Sequence, residues 1–522
     1  MATGGLTERG ARLTLVAVCL AVFMLLLDMT IVAAALADIQ ASLNARLSGL
    51  QWVVDAYALP MAGLLLSAAT LGDRIGRRRL YLGGMIVFLF ASAGCALARS
   101  IEFLNVIRAV QGAAGAVLLG VSLPMIAAAF PDPRRRAVAI AVYGAMMGAG
   151  GAVGPLVGGA LVTAYGWPSI FLINLPIGVL ALAIAVFAVA ESVVPQARPV
   201  DVYGTVVLTA GLFAGVYVLI EGDRYGWGSP VMLGLSACCV VALVVFWRHE
   251  KRSAAPLLDV RMLTGAGFAG VSLAAFAATG TLIASTNYLA LYFMNTLGYS
   301  PFGAGLRALP LTVAIVVGAP VVMIAARRLP AVIAIPGGAA FIAVGMWMMT
   351  GVTADTRWTH FIAGSVVAGL GLGGLSALTS DAALRFVAVP DAGMATGTVS
   401  TVRQIGILAG VAGLGALFSR AAGDVAAARL SALPALGAEP AGLLTDGLGA
   451  GAGLRVLDVL PAQMRPLVPE LATIAREAGA AGMQTALVAA AMVATVATVA
   501  VATLVGIGSR RTPRDRTPVP VD

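Results

Sequence analysis

Lysine occurs once in this chain, at Lys251, histidine twice and cysteine four times. His249 and His360 stand alone, and no Cys or His group has metal-ligand spacing, so neither a metal site nor a cofactor is expected. Cys19, Cys95, Cys238 and Cys239 all lie within apolar segments, which argues against a disulfide framework. Charge of either sign is scarce: 11% of residues, against about a quarter in an average soluble domain. No GxxxxGK[ST] phosphate loop is present, which argues against ATP-driven pumping. There is no Cys/His/Ser constellation for an enzyme and no signalling domain for a receptor, so both readings are set aside. The net charge of +9 raises nucleic acid as a partner, but the basic residues sit in short connections between apolar spans, so none is expected.

What is abundant is apolar length. Hydrophobic residues make up 60% of the 522, and the mean hydropathy is +0.96. One buried core cannot absorb that; a bilayer can, and a helix needs about 20 apolar residues to cross its core of about 30 Å. Residues 13–36 form such a run with Asp28 its only charge, and 485–508 form another with none. Strand barrels alternate apolar and polar residues over about ten positions. These runs are continuously apolar, so helices are predicted. Spans are read near 13–38, 51–71, 80–98, 101–130, 137–164, 169–190, 202–220, 230–247, 266–295, 301–326, 330–351, 360–386, 392–419 and 483–508. The first run is too long, and too interrupted by Asp28, for a cleavable signal core. The fold class is therefore an all-α polytopic membrane protein of 14 transmembrane helices, in contact with the lipid bilayer and expected to be a monomer.

Basic residues favour cytoplasmic connections. With the N-terminus in the cytoplasm, that side holds the clusters at 9–12, 74–79, 134–136, 248–261 and 510–516, while the short outer connections hold only Arg46, Arg99, Arg224 and Arg357. Both termini are expected to be cytoplasmic. The arginine bias points to a GC-rich bacterial genome, and hence to a bacterial plasma (inner) membrane. Residues 420–482 form the one long connection, placed outside, and 466–478 is read either as a short amphipathic helix on that face or as loosely ordered loop. The polar tail 509–522 is cytoplasmic.

Several motifs stand out. LGDRIGRRR (71–79) joins spans two and three; Gly72 and Gly76 permit tight turns, and Asp73 is expected to accept from amides at the start of span three and pair with nearby arginines. An ordinary basic loop explains the arginines but not this spacing. In span five, Gly150, Gly151, Gly154, Gly158 and Gly159 permit close backbone packing, and Pro155 favours a bend. The plain alternative is a generic small-residue face.

Gly72, Asp73, Arg74, Gly76, Arg77 and Arg78 resemble the signature loop of the major facilitator superfamily. LDMTIVAAAL (27–36) is similar to the LDxTIVNVAL signature of its fourteen-span drug:proton antiporter family. Span two carries WVVDAY (52–57), span four RAVQGAAGA (108–116), span five the Gly-Pro-centred GAVGPLVGG (151–159), span six WPSIFLINLPIG (167–178) and span thirteen GMATGTVSTVRQIG (393–406). The resemblance runs from residue 27 to about 420, with Ala33 and Ala34 where Asn-Val is usual and a degraded second-half loop, AARRLP (325–330). It implies two six-helix bundles, residues 1–195 and 263–508, an inserted helix pair with its linkers at 196–262, and alternating access around a central cavity. It also implies a seam-gating role for Gly151, Gly154, Pro155, Gly158 and Gly159.

Charge within a span costs about 2.5–3.5 kcal/mol on insertion scales and asks for a reason. At about 1.5 Å per residue, Asp28, Asp55 and Arg108 fall roughly 22, 24 and 21 Å above the cytoplasmic face. They are expected to form the proton- and cation-handling group, as the resemblance also implies for the two acids. The alternative is a structural Asp28–Arg108 pair, with Asp55 at the interface. Asp381 is explained by an i,i+4 pair with Arg385. Arg403 has no acidic partner in sequence; it and Asp381 are candidate conformational charges. Tyr57, Gln111, Tyr143, Tyr288, Tyr292, Phe293 and Asn295 are candidate cavity-lining residues, aromatic faces being suited to cations. The expected function is proton-coupled antiport of small amphipathic, cationic drugs; a dedicated exporter of an antibiotic, metabolite or lipid is the second reading.

Overall fold

The computed structural model describes residues 8–193, 199–253, 256–258, 260–326, 329–385, 392–433, 438–459 and 466–511. Among these no strand occurs, and fourteen helices are long and apolar enough to cross a membrane. They are α1 (Glu8–Ala34), α2 (Leu47–Ile75), α3 (Arg77–Ala96), α4 (Ile101–Ala129), α5 (Arg134–Tyr165), α6 (Ser169–Ala188), α7 (Val202–Gly222), α8 (Pro230–Arg252), α9 (Ala266–Thr296), α10 (Pro301–Val322), α11 (Ala331–Met348), α12 (His360–Thr379), α13 (Gly397–Leu430) and α14 (Val468–Ser509). Polar side chains start several of them. Ser100 accepts from Phe103 N at 3.3 Å, Asp132 from Arg135 N at 2.9 Å, and Asp201 from Gly204 N at 2.8 Å. Each satisfies one of the free amides that every helix start presents.

Helices α1–α6 pack as one bundle and α9–α14 as a second, with α7 and α8 paired beside them. Two seams join the bundles: α5 against α10, and α2 against α13. Helix α7 touches both members of the second seam. An even span count puts the start of α1 and the end of α14 on one side, here termed the terminal side; the opposite is the far side.

Spans thirteen and fourteen run further than their apolar windows. The segment at 420–482 is not one long loop: α13 continues to Leu430 and α14 begins at Val468, absorbing the 466–478 helix that was expected to lie flat. Charge ends an apolar window without ending a helix. Charges at 420–429 and 470–477 end the apolar windows, but Arg429 and Glu477 pair with each other at 2.9 Å between the two overhangs. What remains of the connection includes a helix at Ala438–Gly449 and a tight turn at Gly453–Val459. This segment closes over the far side. Gln40 donates to Ala450 O at 2.8 Å, Asn295 donates to Gln40 Oε1 at 3.1 Å and to Gly451 O at 2.8 Å, and Arg455 pairs with Asp38 at 2.8 Å.

Helix α4 approaches α2 closely enough that a Cβ at Gly112 would overlap the Tyr57 carbonyl, which is backbone and cannot turn aside. Gly112→Ala is therefore expected to lower stability by about 1–3 kcal/mol. Gly83→Ala, where nothing lies within 4 Å, serves as the control. Thermal unfolding in detergent checks this; equal midpoints for the two variants would remove the close-approach argument.

Candidate functional site

The polar centre of the first bundle is built from five of its helices. Asp28 on α1 takes Arg108 Nη1 at 2.6 Å on one carboxylate oxygen. Its other oxygen accepts Gln111 Nε2 at 3.1 Å and Asn174 Nδ2 at 2.7 Å. Ser92 on α3 accepts from Gln111 at 2.8 Å and from Asn174 at 3.2 Å. Arg108 also donates to Gln111 Oε1 at 2.7 Å and, through Nε, to the Val53 carbonyl of α2 at 3.0 Å. Its guanidinium carbon lies 4.2 Å from the Tyr57 ring centroid and 5.7 Å from that of Phe171. Arg108 is 1% exposed and Asp28 0%. This is a closed, hydrogen-bonded ion pair, the form in which buried charge is tolerated.

Asp55 does not join it. Seven steps into α4 and eight into α2 place Arg108 and Asp55 roughly 10 and 12 Å along their own helices. The azimuth differs. Val53, which meets Arg108, and Asp55 are two residues apart, about 200° around the helix, and so occupy opposite faces of α2. Asp55 is 0% exposed, and neither carboxylate oxygen has a hydrogen-bond partner among the described residues. Its face is the one toward the second bundle. Gln51, one turn earlier, donates to the Tyr288 hydroxyl at 3.3 Å, and that hydroxyl donates to the Val411 carbonyl of α13. Ala58, Leu59 and Ala62 continue the same face against Leu408 and Ala412.

Several expected cavity-lining side chains are packed instead. Tyr57 lies against Arg108, Gln111 belongs to the Asp28 network, and Tyr143 sits in the first bundle's core at 4% exposure. Tyr292 and Phe293 form an aromatic cluster with Phe361, and Asn295 is taken up in the far-side closure. Tyr288 alone of these lies on the α2–α13 seam, stacked on Phe418. Asp381 and Arg385 follow α12 in a helix that extends to Arg385, their side chains lying outside the description. Arg403 is on α13, its carbonyl accepting from Thr279 at 2.9 Å, where α9 widens by one turn at Thr279–Ile283. Such widened turns are frequent at functional sites.

The signature loop departs from expectation in one respect. Asp73 pairs with Arg77 at 2.8 Å, but the amides that start α3 go elsewhere: Arg78 N and Arg79 N donate to Glu191 at 3.0 and 3.2 Å. Gly76, at φ 113°, turns the chain between α2 and α3, and Glu191 fills the space a side chain there would need. Arg77 reaches Pro124 O at 3.2 Å and Arg78 reaches Val186 O at 2.7 Å, while Arg74 is exposed. In the span-five motif, Gly150, Gly154 and Gly158 face Phe23, Thr30 and Ile31 of α1. Gly159 and Pro155 meet Pro301 and Gly305 of the second bundle across the other seam, whereas Gly151 borders open space.

Ser92, Asn174, Glu191 and Gln51 were not anticipated. Asn174 had a signal: it is the one amide of span six and sits inside the motif at 167–178. The others had none: Ser92 meets Gln111 19 residues on and Asn174 82 residues on, each from another helix, Glu191 meets an amide 113 residues back, and Gln51 bonds across the bundle seam.

Two helical bundles of membrane-length helices, one of them closed around a buried ion pair, are the architecture of a membrane transporter. A family model described as Major Facilitator Superfamily matches residues 18–411, and the chain belongs to that superfamily. It is 36% identical over 421 residues to "Multidrug resistance protein Stp" of Mycobacterium tuberculosis, covering 79% of this chain and 76% of the relative. It is 34% identical over 451 residues to "Tetracenomycin C resistance and export protein" of Streptomyces glaucescens, covering 84% and 82%. Among solved structures, a bacterial homologue of the human lysosomal transporter Spinster shares the fold at TM-score 0.64 and 19% identity, covering 97% of this chain and 98% of that one.

Proposed function

We propose that this protein exports amphipathic drugs or antibiotics from a bacterial cell in exchange for protons, by alternating access. The relatives' names, one a multidrug resistance protein and one a resistance and export protein, support export. The observation that carries proton coupling is Asp55, a carboxyl group buried on the bundle seam with no hydrogen-bond partner among the described residues. A group so placed can take up a proton or a cationic substrate, but ionised and empty it lacks the compensation a buried charge needs. Occupancy by one then excludes the other, which is the logic of an antiporter. The basic connections on the terminal side support a cytoplasmic placement of both termini. Residues 1–195 and 263–508 are read as the two rocking bodies, with 196–262 as the insert and the tail after 509 on the cytoplasmic side.

Each proton that crosses 100 mV supplies about 2.3 kcal/mol, enough for roughly fifty-fold accumulation. Dye transport into inverted vesicles, with and without a protonophore, is the test. Uptake is expected to collapse when the gradient is dissipated; uptake that continues unchanged rules out proton antiport.

A further inference from the structure

Arg307 is an intramembrane cation that this transport scheme leaves unused. It stands six steps into α10, roughly 9 Å from the far-side start of that helix. Its guanidinium carbon lies 3.6 Å from the Tyr299 ring centroid and 5.2 Å from that of Trp358. Nη1 donates to Gly303 O at 2.8 Å, and Nε is buried without an acceptor. Among the described residues no carboxylate lies within ion-pair distance of it, and the loop before α12 carries one acid and one base, Asp355 and Arg357, which cancel in count, so the excess positive charge here is that of Arg307. Directly beside it runs a groove of about 490 Å³ between α10 and α12, bordered by Leu306, Pro310, Val313, Val317, Trp358 and Leu370. Val313 and Val317 are 55% and 45% exposed, so the groove opens sideways, toward lipid.

We propose that this groove holds one anionic phospholipid of the far-side leaflet. Its acyl chain lies along α10 and its phosphate on Arg307. Geometry supports this: the bond from Nη1 to the Gly303 carbonyl turns the guanidinium back toward the far-side start of α10, and the groove runs from there along α10 toward the bilayer centre. Chemistry supports it as well. A guanidinium stacked on an aromatic face still offers its in-plane N–H groups, which match the spacing of phosphate oxygens. Its depth, just inside the helix start, is where a long basic side chain meets the headgroup layer. The excess positive charge favours a headgroup without a cation of its own, and so phosphatidylglycerol over phosphatidylcholine.

Trp358 lines the groove and reports on it. The protein is reconstituted in phosphatidylcholine vesicles containing acyl-brominated phosphatidylglycerol or acyl-brominated phosphatidylcholine at equal mole fraction. The Trp358 signal is isolated by subtracting the W358F variant. Brominated phosphatidylglycerol is expected to quench Trp358 at a several-fold lower mole fraction than brominated phosphatidylcholine. R307Q is expected to make the two equal. V313F, which crowds the groove far from the charge on a lipid-exposed position, is expected to weaken quenching by both and keep the preference. Equal quenching in the wild-type protein marks ordinary annular lipid and overturns the proposal, as does a preference that survives R307Q. The wild-type comparison and V313F decide the matter even if R307Q does not fold.

Discussion

Asp55→Asn abolishes gradient-driven export, by tenfold or more, and leaves the folded protein as stable as before. The two halves of this expectation have one cause. Asp55 makes no hydrogen bond among the described residues, so exchanging it for an amide of the same shape removes no interaction. It removes only the ability to exchange a proton at the α2–α13 seam. Vesicle transport under an imposed gradient and detergent thermal unfolding, measured on the same preparation, check both halves. Gradient-driven transport at the wild-type rate removes Asp55 from coupling. A large fall in the unfolding midpoint shows instead that the residue holds the seam together.

Arg108→Met has the opposite signature: it strips Asp28 of its ionic partner at a site sealed from water. Removing one member of a buried pair costs about 3–5 kcal/mol, whereas replacing both by neutral residues is often neutral or stabilising. The single variant is therefore expected to unfold at much lower temperature or denaturant, and Asp28→Asn with Arg108→Met to recover close to the wild-type value. Transport separates the two roles left open by the sequence. If the pair also serves the transport cycle, the recovered double variant stays inactive. If it is purely structural, transport returns with stability. A single variant as stable as wild type would contradict the closed geometry itself.

Much of the architecture was legible because a bilayer imposes a one-dimensional rule: apolar length reports span number. The same rule failed at 420–482, where charges ended the windows although Arg429 and Glu477 satisfy each other in helices that outrun the lipid. The candidate site was legible along the helices but not around them. Counting residues gave Asp28, Asp55 and Arg108 a common depth; only packing reveals that Arg108 meets the Val53 face of α2 and Asp55 the other. The partners that complete the Asp28 network, Ser92 and Asn174, converge from α3 and α6, and no local pattern encodes that meeting. Glu191 is the same kind of case. The signature loop seemed to supply its own acceptor, Asp73, yet the free amides of α3 are taken by a residue more than a hundred positions on.

Helix α7 is fastened unequally. To α2 it is held by the short Ser67–Thr205 hydroxyl contact, the insertion of Thr209 at Gly63, and Trp52 set among Phe213 and Tyr217. To α13 it offers aliphatic surface, Val216 and Ile220 near Leu408 and Ala412. In the proposed alternating-access cycle, directional bonds on one side and aliphatic contact on the other let α7 travel with the first bundle and glide over the second, as a sliding seal. The α2–α13 flank then stays shut to the bilayer throughout that cycle, and the α5–α10 flank is left as the lateral way in for a hydrophobic molecule dissolved in the membrane.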